Sequence, residues 1–492
     1  MNRTAIKDGW VIAWIDGQHQ VLDGGTVVIE GSNIIFVGFP NDPNCPPADH
    51  IISAKGKLVS PGLINLHCIA NLDLQILNID QDRQAGYNRP ASIMEPGTPH
   101  ILSDADFRTS AEFSVAALLK AGNTSFGSVT TGITKLWEDP VVEPYALAEA
   151  SDAMGARAWL AHIYQEACDY MDADGTPQRV WDRQKAQHGL DNAISFIKYC
   201  EKNESKRITG FLFPYQTARC SDELLQETMH QSKLMNSAHV RTHFSQGVGE
   251  FQAHRSKRDG SMIDWLQEIG FLGPQVCLTH AIYIAGHSAT GDPEGQDLDI
   301  LAKTGTSVCH TPIVYARGGN KLESFSRYVK AGVNMGLGCD TFPPDLVEEM
   351  RLGSIVNKLA DGDREAGLAK DFFNAATVGG AKALGREDIG RLEAGCKADI
   401  SIFNLTGLSQ GPIDDPMRTF IHFANRNDCE TVIVDGKVVV DDGHVVGLDE
   451  EELAYRAQGA WERYKSGMAN WNQLKKSANE LYKPFLPIIK SS

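Results

Sequence analysis

The sequence predicts an α/β protein: a (β/α)8 TIM-like barrel with a small composite β-sandwich domain formed from both termini. Three observations carry that prediction. Residues 58–390 alternate short apolar strands with helical stretches, the pattern of a parallel barrel. Both flanks of this region are β-rich instead. Five strands of the middle region end in a histidine or an aspartate, where a barrel places its chemistry. The expected division is 1–57 with 391–448 for the β-sandwich, 58–390 for the barrel and 449–492 for a C-terminal helical extension.

The N-terminal flank contains Trp10–Trp14, Thr26–Glu30 and Ile34–Val37, short β-rich runs separated by Asp16-Gly17, Gly24-Gly25 and Gly31-Ser32 turns. The same texture returns in Asp399–Phe403, Thr431–Val434 and Lys437–Val440, with Asp435-Gly436 as a hairpin turn. Between the flanks, Arg157–Ala161, Ile208–Leu212, Ala238–Thr242, Val276–Thr279, Ser307-Val308 and Val333–Leu337 read as strands. Helical patterns over Ser110–Ala121, Glu143–Met154, Ser221–Met235, Ser261–Glu268, Asp297–Ala302 and Leu322–Lys330 alternate with them. A doubly wound open sheet would carry a Gly-rich turn after its first strand, and none is present.

Composition narrows the partners. The chain has 492 residues, 42% hydrophobic and 22% charged, with a net charge of −17. That charge argues against nucleic acid and anionic membranes, which select basic surfaces. No apolar run approaches a membrane span and the N-terminus has no apolar signal core, so a cytoplasmic location is expected. The ten cysteines form no C-x-x-C pair and several sit in apolar runs, as buried reduced thiols do.

The chemistry gathers at strand ends: Asn65-Leu66-His67, His243 (followed by Gln246), His280, His310 and Asp340. Imidazoles and a carboxylate converging on one axis suit a divalent transition metal; N/O ligands fit zinc, cobalt, manganese or iron. In a regular strand Asn65, His67 and Ile69 share one face, and the adjacent Cys68, Cys309 and Cys339 are expected to face outward. Each residue alone also has a plain structural reading. His67 fits a core histidine, one of His239 and His243 a hydrogen-bonded barrel residue, His310 a loop anchor, and Asp340 a helix cap. The set carries the argument.

Several longer motifs then align with a known family. Pro61-Gly62-Leu63-Ile64-Asn65-Leu66-His67 resembles the P-G-L-[IV]-N-x-H-x-H opening of the amidohydrolase superfamily, and His243-Phe244-Ser245-Gln246 its H-x-x-E. Leu278-Thr279-His280, Leu301–Pro312 and Gly332–Asp340 resemble its later strands, and Gly390–Asp399 its return into the β domain. The resemblance spans nearly the whole chain and is nearest to the branch of triazine hydrolases and aminohydrolases. It implies a metal-dependent enzyme acting on non-peptide carbon–nitrogen bonds of a small molecule, and a homo-oligomer.

Two departures stand out. Ile69 occupies the place of the second histidine, and isoleucine binds no metal. Gln246 replaces the glutamate that passes a proton in the family's aminohydrolases, and an amide cannot shuttle protons. Phe213-Pro214-Tyr215 stands where binuclear relatives carry a carboxylated lysine, which implies one metal, with zinc favoured. Asn65-x-His67 is similar to the motif of molinate and phenylurea hydrolases.

The expected site is therefore His67, His243, His280, Asp340 and Asn65 about the metal, with Asn65 either a ligand or only orienting water. Asp340 is the base, and His280 either a ligand or an oxyanion donor. Gln246 and His310 are expected to contact substrate. Trp137, Tyr87, Tyr315, Phe342 and Phe126 are candidates for pocket walls. Three function classes follow. The first is a hydrolase of amide, urea, carbamate or thiocarbamate bonds. The second is an aminohydrolase or dechlorinase on a nitrogen heterocycle such as a triazine or purine. The third is a barrel used as a non-catalytic scaffold.

Overall fold

A computed structural model describes residues 3–72, 76–77, 79–80, 89–95, 97–98, 100–130, 136–293 and 295–489. The chain opens with β1 (Arg3–Ile15), β2 (Gln18–Glu30), β3 (Asn33–Gly38), β4 (His50–Ser53) and β5 (Lys57–Pro61). The barrel follows. Its first half holds β6 (Leu63–Ile69), β7 (Asn123–Val129), β8 (Arg157–Leu160) continued by β9 (Ile163–Tyr164), and, after the β10 (Ala167–Met171) and β11 (Pro177–Trp181) hairpin, β12 (Ile208–Gly210) with β13 (Phe213–Pro214). Its second half is β14 (Val240–Phe244), β15 (Val276–His280), β16 (Ser307–His310) and β17 (Met335–Leu337). The chain then returns through β18 (Ile400–Asn404), β19 (Cys429–Val434), β20 (Lys437–Asp441) and β21 (His444–Val445).

Helices cross between the parallel strands and pack outside them, as a right-handed βαβ progression requires. The strands of the two halves hydrogen-bond as two four-stranded sheets, β12-β8-β7-β6 and β14-β15-β16-β17. Two sets of backbone bonds close them into a ring. Leu212 N donates to His239 O (2.9 Å) and Arg241 N to Leu212 O (3.0 Å) on one side. On the other, Asp340 N donates to His67 O at 2.8 Å.

Strand alternation sorts the apolar residues into two layers. Ile64, Leu66, Val129, Trp159, Ile163, Phe211, Phe213, Cys277 and Cys309 fill the inside of the ring. Leu63, Cys68, Phe126, Leu160, Val240, Phe244, Leu278 and Val308 face the helices. Cys309 therefore points inward, against the outward orientation expected for it, because Val308 takes the outer register on β16. Cys68 and Cys339 do face out.

Both termini build the β domain. β1–β5 and β18–β21 form one nine-stranded sheet, joined where β18 pairs with β5, Ile402 opposite Val59. Register shifts around Gly9 break the long β1–β2 pairing, and side chains from six of its strands share one core that includes Ile6, Val11, Val27, Ile34, Val59, Ile400 and Ile433. The two architectures are welded by a buried ion pair. Arg157 on β8 donates Nε to Asp399 Oδ2 at 2.7 Å and Nη2 to Oδ1 at 3.1 Å. Removing one partner of such a pair leaves an unpaired buried charge and costs about 3–5 kcal/mol.

The C-terminal helix Glu450–Gly467 lies against the first barrel helix, Asp104–Lys120. Ala457 and Ala460 pack on Leu72, and Arg456 reaches Glu112 at 2.8 Å. Among the described residues, no helix is long and apolar enough to cross a membrane.

Candidate metal centre

His67, His243 and His280 come together at the C-terminal ends of β6, β14 and β15, all buried, with one ring nitrogen of each within 4.8 Å of the others. Asp340, just past β17, closes the set: Oδ1 lies 3.3 Å from His67 Nε2 and Oδ2 3.8 Å from His280 Nε2. Four separate strands thus supply three imidazoles and one carboxylate to one point, a donor set that fits a divalent transition ion.

The hydrogen bonds prepare the rings for that role. His243 Nδ1 lies 2.6 Å from Tyr215 O; a carbonyl only accepts, so Nδ1 carries the proton and Nε2 keeps its lone pair. His280 Nδ1 is 3.1 Å from the Thr311 hydroxyl, which accommodates either tautomer, and its buried Nε2 makes no hydrogen bond among the described residues. Neither nitrogen of His67 makes one either, and the Asp340 carboxylate is the polar group beside both Nε2 atoms. Burial holds the pKa of His67 well below the ordinary value, with the Arg241 guanidinium adding to the effect. Burial lowers His243 to about 3, with His67 adding, and holds His280 well below the usual range. All three are neutral imidazoles at neutral pH, the form that ligates.

Backbone strain marks the same place. His280 has φ +80°, Asp340 φ +57°, and Ser245, two residues after His243, φ +44°. Non-glycine residues there cost about 1–3 kcal/mol each and persist only where surrounding contacts enforce them. On β15 Cys277 points in and Leu278 out, so strict alternation would turn His280 away from the axis. The unusual φ is the local departure that accompanies its return to the centre.

Asn65 departs from its expected role. The β6–β7 register shifts between Asn65 and Cys68, so Asn65 pairs with outward-facing Phe126 and does not share the His67 face. Its amide is committed elsewhere: Nδ2 donates to Cys339 Sγ (3.1 Å) and Oδ1 accepts from Cys339 N (3.2 Å). It is not placed as a metal ligand. Ile69 joins the inner apolar layer.

Gln246 lies half-buried at the mouth, and its Oε1 accepts from the Tyr315 hydroxyl at 3.4 Å. Tyr315 in turn sits edge-on over His280, ring centroids 4.9 Å apart. Glu250 Oε2 accepts from Gln246 N at 3.2 Å, bracing the turn. His310 is buried with its ring 6.0 Å from Phe325. Of the other aromatic candidates, Phe126 belongs to the outer core, because it lies within β7 and not on a loop. Phe342 stacks on Phe113 at 5.7 Å, Trp137 carries the Lys185 ammonium 3.9 Å above its ring, and Tyr87 lies outside the described residues.

Arg241 was not singled out by the motifs, although it shares the His243 strand face two residues earlier. Its buried guanidinium lies 4.5 Å from the Phe211 ring and 5.0 Å from Phe213, and donates to Ser128 O. Gly127 leaves it room, since an added Cβ would come within 2.4 Å of Nη1.

The sequence model of the Amidohydrolase family matches residues 58–439. The chain belongs to the amidohydrolase family. Among curated proteins, this amidohydrolase is 28% identical over 467 residues to 5'-deoxyadenosine deaminase of Methanosarcina mazei, covering 93% of this chain and 97% of that one. It is 29% identical over 445 residues to 5-methylthioadenosine/S-adenosylhomocysteine deaminase of Thermococcus kodakarensis, covering 88% and 93%. Among solved structures, it superimposes on a zinc-bound adenosine deaminase from Xanthomonas campestris with a TM-score of 0.76 at 18% identity, covering 94% and 98%. Zinc-complexed atrazine chlorohydrolase from Arthrobacter aurescens gives 0.75 at 20%, covering 93% and 99%. These two likenesses establish the barrel with its β domain.

Proposed function

We propose that this amidohydrolase binds one divalent metal ion, zinc by preference, and hydrolyses a substituent from a ring carbon of a nitrogen heterocycle. One observation carries the reading. A neutral three-histidine cluster with Asp340 alongside lies in a chain that aligns with purine-nucleoside deaminases over about nine-tenths of its length. Bound there, a metal ion supplies Lewis acidity and lowers the pKa of a coordinated water. His67, His243 and His280 would hold the ion. Asp340 is the general base: its carboxylate is within reach of both His67 and His280, and it hands the proton on to the leaving group. Tyr315 and Gln246 form the wall that orients the ring.

This replaces the urea-, carbamate- or thiocarbamate-bond substrate suggested by Asn65-x-His67. The full-length relatives named above are deaminases, and the Asn65 amide is spent on Cys339. Gln246 supports a second reading within the same chemistry. Its carboxamide cannot deliver a proton to a ring nitrogen, which favours a leaving group that departs as a stable anion, as chloride does, over an amine. The assembled donor set weighs against a non-catalytic scaffold.

Zinc-loaded protein assayed on 5'-deoxyadenosine, 5'-methylthioadenosine, chloro-triazines, phenylureas and thiocarbamates separates these readings. Ammonia or chloride release from a heterocycle is the expected result. Turnover confined to the ureas or thiocarbamates overturns it.

A further inference from the structure

We propose that Asn65 is a positioning residue: through Cys339 it fixes Asp340 against His67 at the seam where the barrel's first and last strands meet. The inference rests on the metal-site reading above and deepens it.

Asn65 is fully buried, and both ends of its amide bond the same residue, Cys339. Cys339 immediately precedes Asp340, whose own N–H donates to His67 O at 2.8 Å. The amide therefore ties down one neighbour of Asp340, while His67, two residues after Asn65, receives Asp340 itself. The approach is close. A Cβ on Gly338 would lie 2.7 Å from His67 O and 2.8 Å from its N, and one on Gly336 would lie 2.1 Å from Leu66 Cδ1. Only glycine lets β17 come this near β6.

Asp340 also needs holding. Its φ of +57° is disfavoured for a non-glycine residue, so the conformation persists only under external restraint. Two restraints reach it from β6, the Asn65–Cys339 pair and the Asp340–His67 bond. Loss of the first leaves a buried Cys339 N–H without its acceptor and frees Asp340 to relax toward ordinary φ, away from His67 Nε2.

The test compares zinc affinity, by chelator competition, with thermal stability. Asn65→Leu removes both bonds and is expected to weaken zinc about 10–100-fold, as loss of a residue that orients ligands does. Cys339→Ala removes the Sγ contact but keeps the backbone bond, and is expected to change zinc affinity by less than about threefold. Ser401→Ala is the structural control, because it deletes a buried hydrogen bond, 2.8 Å long, from β18 of the β domain to Gly122 O ahead of β7, and touches neither Cys339 nor Asp340. It is expected to lower Tm with zinc affinity unchanged. Should Asn65→Leu not fold, Asn65→Ser, too short to span both bonds, takes its place with the same expectation.

Wild-type zinc affinity in Asn65→Leu or Asn65→Ser, or an equal loss in Ser401→Ala at matched Tm, overturns the proposal. A wild-type protein that binds no zinc overturns the metal reading instead.

Discussion

In the first four-stranded sheet of the barrel, among the described residues, one strand end contributes to the histidine cluster, His67 on β6. In the second sheet, β14, β15 and β17 deliver His243, His280 and Asp340. The halves reach the axis by different backbone devices. The first uses a bulge, which shifts register between Asn65 and Cys68. The second uses positive φ at His280 and Asp340. A bulge leaves residues in allowed conformations, whereas positive φ stores strain that neighbours must offset. The second half is thus the strained, chemical half, and the first supplies the fixed surface against which it is set.

The largest expected effect comes from the strained half. Asp340→Asn should lower kcat by about 10²–10⁴-fold, the span lost with a general base, while circular dichroism stays native. Near-normal turnover in that variant would move the base elsewhere.

Glycines on the two sides offer the next contrast. Gly338→Ala forces a Cβ onto the His67 backbone, which cannot yield without opening the seam. We expect a loss of about 1–3 kcal/mol or more in urea unfolding, together with weaker zinc binding. Gly127→Ala also meets backbone, Leu66 O at 2.6 Å, beside the Arg241 guanidinium at 2.4 Å, so a stability loss of the same order is expected there, but with less effect on zinc binding because neither contact is one of the clustered histidines or Asp340. Equal weakening of zinc binding by both variants would show that the seam has no special hold on the site.

Gln246→Glu restores a carboxyl after His243. Ammonia release from adenine nucleosides should rise roughly tenfold relative to chloride release from chloro-triazines, because a carboxyl moves protons where an amide cannot. An unchanged ratio would remove Gln246 from substrate chemistry.

The smallest effect is a pH dependence away from the site. His19 is lowered to about 4, by burial first and Arg391 second. Its folded pKa lies below its unfolded value, so the unfolded chain binds more protons below pH 6.5. Stability is therefore full above about 6.5 and declines as pH falls toward 4. His19→Gln should flatten that part of the Tm-against-pH curve. A curve identical to the parent would assign the acid sensitivity to other buried histidines.

The fold was readable because its signals are local. Strand–helix alternation over 58–390 and β-rich flanks need only periodicity and turn chemistry, and each expected run overlaps an observed element, although β1, β2 and the helix Asp104–Lys120 begin well before the runs Trp10–Trp14, Thr26–Glu30 and Ser110–Ala121. The β10–β11 hairpin and the helix Arg183–Glu201 drew no such reading; the hairpin is an insertion in the β8–β12 connection, and the helix is the crossover of that connection, packed on β9 and β12. The donor cluster was partly readable, since His67, His243, His280 and Asp340 each sit at a strand end. The role of Asn65 was not. Period-2 alternation places it beside His67, and one extra residue in the bulge reverses that.

By itself, then, the sequence determined which residue types stand at the ends of the barrel strands, because strand length and turn position are written in local pattern. Tertiary structure alone decided which of them meet. Ring closure brings β17 onto β6, residues 65 and 339 into hydrogen-bond contact, and Arg241 beneath the histidines. Those contacts depend on bulges, positive φ and close glycine approaches, which arise only when the two halves close on each other.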